Sequence, residues 1–203
     1  MAKQLSKIMT NWYTTVILLS LSVSLVVSDC PEVKTVDNFD VNRYMGKWYE
    51  IMKYPMLWET GLKCVTQTLM ANSNGTLSVK NAGVYKLIDY PVSITGLAIS
   101  NYTDPAKLTV EFKPFPYYTS RSKLWILETD YSNYALAYSC INPPFVPFNI
   151  ENAWILSRKP NLNPQIVELL RERLNSINSP SYLLYSTDQS NCPKTSNTDQ
   201  NEP

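Results

Sequence analysis

Asn38–Tyr54 reads NFDVNRYMGKWYEIMKY. Gly46-Lys47-Trp48 opens an alternating segment in which Trp48, Glu50 and Met52 share one face, the pattern of a strand with one side turned inward. Far downstream, Ala153-Trp154-Ile155-Leu156-Ser157-Arg158 forms a second such segment, which ends on Arg158 just before a helix signal.

Working outward, short strands recur with turn signals between them, as in a barrel or sandwich. Strands are predicted at 46–54, 64–71, 76–85, 92–100, 107–112, 123–130, 134–141 and 153–158. Asn72-Ser73-Asn74-Gly75, Asp104-Pro105 and Tyr131-Ser132-Asn133 supply turn chemistry. Asn163 is placed to cap one helix, Pro164 fits its first position, and Ile166, Val167, Leu169, Leu170, Leu174 and Ile177 make its apolar stripe. A short strand is predicted at 182–187. Eight antiparallel strands closing on themselves leave room for one small ligand.

Residues 1–28 read as a secretory signal: Lys3 and Lys7 precede the apolar run Thr14–Val27, with small residues before a cut at Asp29. That run is shorter than the ~20 residues that span a bilayer. The remaining 175 residues suit one domain, 29–194, followed by a disordered polar tail, 195–203, with no hydrophobic end for a lipid anchor. Cleavage leaves 16 Lys and Arg against 17 Asp and Glu. A chain this close to neutral, with no basic run, is not built for nucleic acid.

Cys30, Cys64, Cys140 and Cys192 are even in number, lack CxxC spacing and sit in a secreted context, so disulfides are expected, with three pairings open. Asn74-Gly75-Thr76 and Asn101-Tyr102-Thr103 are N-glycosylation sequons between strands, which marks a glycoprotein. Histidine is absent, which removes the ordinary Ser-His and Cys-His relays, the usual zinc ligand set and a haem-ligating histidine. No carboxylate pair is singled out by spacing. The reading is of a non-enzyme with no metal and no cofactor beyond a non-covalent lipid or other hydrophobic ligand.

The Gly-x-Trp at Gly46–Trp48, Thr129-Asp130-Tyr131 and Arg158 together resemble the lipocalin family. WILETDYSNYALAYSC (Trp125–Cys140), AWILSRKPNL (Ala153–Leu162) and TDQSNCPK (Thr187–Lys194) resemble its apolipoprotein D and insect Lazarillo group. The resemblance implies an all-β fold: an eight-stranded antiparallel up-and-down β-barrel with one C-terminal α-helix. It implies that Arg158 packs over Trp48 as a structural pair at the closed end, and that the disulfides are Cys30–Cys140 and Cys64–Cys192. It also adds weight to Asn101 as a glycosylation site.

With Trp48 and Arg158 inward, parity brings Glu50, Met52, Trp154 and Leu156 inside. Leu108, Val110 and Phe112 form an apolar face, and the resemblance adds Leu69, Leu124 and Ala137. Met52, Leu69, Val110, Phe112, Leu124, Ala137 and Trp154 are the candidate ligand contacts. Glu50, a buried carboxylate, needs a partner. Three alternate connections are apolar, and in an up-and-down barrel they emerge at one end. Met56, Leu57 and Trp58, then Phe115 and Tyr117, then Phe145 and Phe148 would form a rim that either docks on a membrane or folds over the cup as a lid.

The expected function is that of a secreted, extracellular lipocalin binding and transporting a fatty acid, retinoid, steroid or similar lipid. The resemblance further implies lipid handling and stress protection. Alternatives are an interaction protein acting through the rim on a membrane or lipoprotein surface, and a bilin carrier. A cell-surface receptor is a further candidate partner.

Overall fold

The computed structural model describes residues 29–193, so the signal and the tail lie outside the described residues. Asp40 accepts hydrogen bonds from the backbone N–H groups of Asn42 and Arg43 and starts a four-residue helix, α1 (Val41–Tyr44). Eight strands follow: β1 (Gly46–Lys53), β2 (Leu62–Ala71), β3 (Leu77–Tyr85), β4 (Tyr90–Ser100), β5 (Lys107–Phe115), β6 (Tyr118–Thr129), β7 (Tyr134–Ile141) and β8 (Ile150–Ser157). Each pairs antiparallel with the next, and β1 pairs with both β8 and β2, which closes the barrel. The helix α2 (Pro164–Asn175) follows, capped by Asn163 on the Gln165 N–H. A two-residue strand, β9 (Tyr185–Ser186), pairs with β1 at Met52 and Lys53.

Two hydrophobic cores share the sheet. The inner one joins Trp48, Leu69, Val79, Leu108, Leu124 and Leu156 inside the barrel, and its floor is Phe39 and Tyr44. The outer one packs Leu170, Leu174 and Ile177 of the helical segment against Leu136, Tyr138 and Ile155. Strand β7 therefore buries both faces and reads as a near-continuous apolar run. Its inward residues, Ala135 and Ala137, are small. Leu169, expected in the helix stripe, is half exposed instead.

Both disulfides tie irregular segments to this frame. Cys30–Cys140 fixes the N-terminal strap, which then crosses to the closed end, where Val36 joins the inner core. Cys64–Cys192 fixes the C-terminal segment to β2. Cys64 sits in the left-handed region, φ 58°, at a register shift of β2. Its N–H donates to the Asp188 carbonyl, so the bridge and this bond hold a conformation unusual for a non-glycine residue.

The chain divides into two compact units: the barrel unit, Cys30–Ile141 with Ile150 onward, and a small one that includes Asp29 and Asn142–Asn149. Within the small unit, the side-chain amides of Asn142 and Asn149 donate to Asp29, and Phe145 and Phe148 are exposed.

Candidate ligand-binding site

The closed end is built around one cation. The Arg158 guanidinium lies 3.6 Å from the centroid of the Trp48 ring. It also donates to five carbonyls: Tyr131, Lys47, Arg43, Tyr44 and Met45. Three of these belong to the end of α1, so the arginine caps that helix as well as covering the ring. Trp48 Nε1 donates to the Tyr44 carbonyl at 2.9 Å, and the Tyr44 ring packs, tilted, between Phe39 and Trp48. Gly46, at φ +93°, brings the chain within reach of Arg158; a Cβ there would lie 3.4 Å from its Nη1.

Above this floor the registers define the inner wall. Leu69, Val110, Leu124 and Ala137 belong to the inner core, and Phe112 and Trp154 pack against it. The Phe112 ring lies across its partner Gly96, where a Cβ would come within 2.6 Å of Cδ1. Gly96 thus makes room for the Glu111 carbonyl and for an aromatic wall residue, a role that its place in a strand pattern alone does not reveal.

Met52 is a correction. A register shift between Glu50 and Met52 inserts Ile51 as an extra residue, so Met52 pairs with Ile155 and joins the outer core. Strict alternation fails at such a bulge, and every residue beyond it changes face. Lys53 consequently pairs with Trp154 and occupies the inward face in place of Met52.

Lys53 is buried and supplies the partner that Glu50 requires. Its Nζ lies 2.9 Å from Glu50 Oε1 and 2.5 Å from Glu59 Oε2. Thr187 Oγ1 donates to the same Glu50 oxygen, and Gln189 bridges the Glu50 and Val65 carbonyls where β1 and β2 part. Burial pushes the Glu50 carboxyl up to about 8, with the Glu59 charge adding to it and Lys53 and Thr187 pulling back. Burial pulls Lys53 down, but the two carboxylates outweigh it and hold the ammonium above its usual range. The folded protein therefore keeps a proton on Glu50 that the unfolded chain has lost between about 4.5 and about 8. The stability so gained is complete below the lower value and is lost as pH rises through the upper one. Melting temperature is expected to fall across that window in the wild type and to stay flatter in Glu50→Gln. Parallel profiles would show that Glu50 stays ionised throughout.

At the end opposite Arg158, Leu57 and Trp58 on the β1–β2 connection, Phe115 at the end of β5 and Tyr117 on the β5–β6 connection are exposed. Met56 is a second correction: its side chain is buried and belongs to no exposed rim. The β3–β4 hairpin emerges at the same end and adds Leu87 and Ile88, 98% and 71% exposed, which the sequence reading missed because they sit in a tight turn between two strands. Phe145 and Phe148 lie in the small unit described above. The two sequons fall on the β2–β3 and β4–β5 turns, at the closed end. Asn74 and Asn101 are exposed, and each side-chain oxygen accepts from the N–H and hydroxyl of its own threonine, Thr76 or Thr103.

An eight-stranded antiparallel barrel with a Trp–Arg closed end and a helix on its outside has its counterpart among known proteins. A family model described as a lipocalin-like domain matches residues 39–179. The chain belongs to the lipocalin family. It is 40% identical to apolipoprotein D of Bos taurus over 167 residues, covering 81% of this chain and 85% of that one. It is 32% identical to the Lazarillo protein of Schistocerca americana over 182 residues, covering 87% and 83%. Its fold is similar to that of insecticyanin from the tobacco hornworm Manduca sexta, with a TM-score of 0.73, 28% identity, and coverage of 83% and 91%. As a lipocalin, it places its inner wall where the family holds small hydrophobic ligands, and Trp154, Phe112 and Val110 are this chain's apolar contribution to that wall.

Proposed function

We propose that this protein is a secreted carrier that holds one small hydrophobic molecule in the barrel, a fatty acid, retinoid, steroid or similar lipid, and is not an enzyme. The observation that carries this reading is the inner wall above Trp48, where Phe112 and Trp154 stand on an apolar floor sealed by Arg158. Both cysteine pairs are bridged, which suits an oxidising compartment and leaves no free thiol to act as a nucleophile. Kinship with apolipoprotein D and Lazarillo supports a role in lipid handling and stress protection. A bilin is a ligand-level alternative and would colour the purified protein blue.

A second reading, favoured by the exposed Leu57, Trp58, Leu87 and Ile88 at one end of the barrel, has that end dock on a membrane or lipoprotein surface. Delivery to a cell-surface receptor is compatible with either. One experiment separates cup from rim. Trp154→Ala is expected to weaken retinoid or fatty acid binding by about 1–3 kcal/mol, the scale of one lost apolar side chain. It should leave flotation with liposomes intact. Replacing Leu57 and Trp58 with serine should reduce flotation and spare ligand affinity. Equal loss of ligand in both variants would instead make the β1–β2 connection a lid. Native mass spectrometry of the protein from its own source identifies the cargo.

A further inference from the structure

The inner wall also carries polar groups that the apolar reading does not use. Gln67 is the register partner of Trp48 on one side and of Asn81 on the other, so all three share the inward face. Gln67 Nε2 donates to Asn81 Oδ1 at 3.3 Å, which fixes the plane of the carboxamide. The Gln67 oxygen then points elsewhere, buried and without a hydrogen-bond partner. An orphaned acceptor inside a protein calls for a donor.

The charges on the same wall limit what that donor belongs to. By the strand registers, Lys53 is the one cation presented inward above Arg158 among the described residues. Its ammonium is already engaged by both Glu50 and Glu59. An anionic head group would meet the acidic side chains of Glu50 and Glu59 and a carboxamide oxygen, with no free positive charge to receive it.

On the carrier reading above, we infer that the cup selects an uncharged ligand bearing a hydroxyl or N–H donor, seated with that group inward on Gln67 Oε1. A free fatty acid anion is the disfavoured cargo, and an alcohol or sterol the favoured one. The ligand's apolar body then lies against Phe112 and Trp154, and its donor satisfies the oxygen that Asn81 leaves unpaired.

Three probes of one chain length isolate the head group: dodecan-1-ol, dodecyl methyl ether and dodecanoate, titrated against tryptophan fluorescence at neutral pH. The wild type is expected to bind the alcohol about tenfold more tightly than the ether, the scale of one net hydrogen bond, and more tightly than dodecanoate. In Gln67→Leu the alcohol should lose that advantage while ether affinity holds, which also shows that the variant is folded. Equal binding of alcohol and ether by the wild type would overturn the inference and leave the carrier reading standing. Dodecanoate as the tightest ligand, or an undiminished alcohol preference in Gln67→Leu, would overturn it likewise. Failure of all three probes to bind would sink the carrier reading together with it.

Discussion

Trp48→Ala is expected to lower the unfolding free energy by about 3–5 kcal/mol, as a fully buried aromatic truncated in a core that cannot collapse around the gap. The ring is held on every side. Its indole N–H is bonded to the Tyr44 carbonyl, its face is covered by Arg158, and Tyr44 packs against it. Arg158→Ala is expected to cost about 3 kcal/mol or more. Beyond uncovering the ring, it removes a donor from five carbonyls, three of them at the end of α1, of which Tyr44 alone keeps the Trp48 indole N–H. Arg158→Lys should recover little, because an ammonium offers three donors and no planar fork. Urea unfolding followed by circular dichroism measures all three. If Trp48→Ala and Arg158→Ala unfold like the wild type but lose ligand, the pair is a binding device and its structural role is refuted.

The closed end was legible through resemblance: Gly46-x-Trp48 and Arg158 match the lipocalin pattern, which implies that the arginine packs over the ring. The strands were legible through alternation, and the observed β1, β7 and α2 lie within a residue or two of their expected bounds. Alternation is also where the reading of the cup broke. It carries parity along a strand only while the ladder is regular, and the shift after Glu50 exchanged Met52 for Lys53 on the inner face. Gln67 and Asn81 escaped notice for a related reason. A polar residue at an inward position reads as a poor core residue until its neighbours across both ladders are known. The helix α1 is too short to show a period, and Asp40 as its cap was the one local signal available. Leu87 and Ile88 fall between two expected strands, and nothing in a four-residue turn says which end of a barrel it occupies.

Replacing the residue that parity misplaced should produce the other large effect. Lys53→Met removes the cation between Glu50 and Glu59 but keeps side-chain bulk, and is expected to cost about 3–5 kcal/mol at neutral pH, as when a buried ion pair loses one partner. With no ammonium to offset them, burial and the Glu59 charge push the Glu50 carboxyl further upward. The folded form then binds protons that the unfolded chain releases. Because the wild type also keeps the Glu50 proton up to about 8, the deficit should hold steady below that pH and grow above it, where only the variant's folded form still keeps the proton. Adding Glu50→Gln and Glu59→Gln to Lys53→Met should restore most of the loss, because no buried charge remains to be matched. Glu59 also sits on the turn that carries Leu57 and Trp58. Cutting its ion pair should therefore speed amide exchange at Glu59 and Thr60, whose N–H groups donate to the Met56 and Leu57 carbonyls within that turn. A triple variant no more stable than Lys53→Met, or a deficit that does not grow above about pH 8, would mean that Lys53 acts through packing alone. The predicted pattern would instead make one buried ammonium the tie between the cup wall and the apolar connection above it.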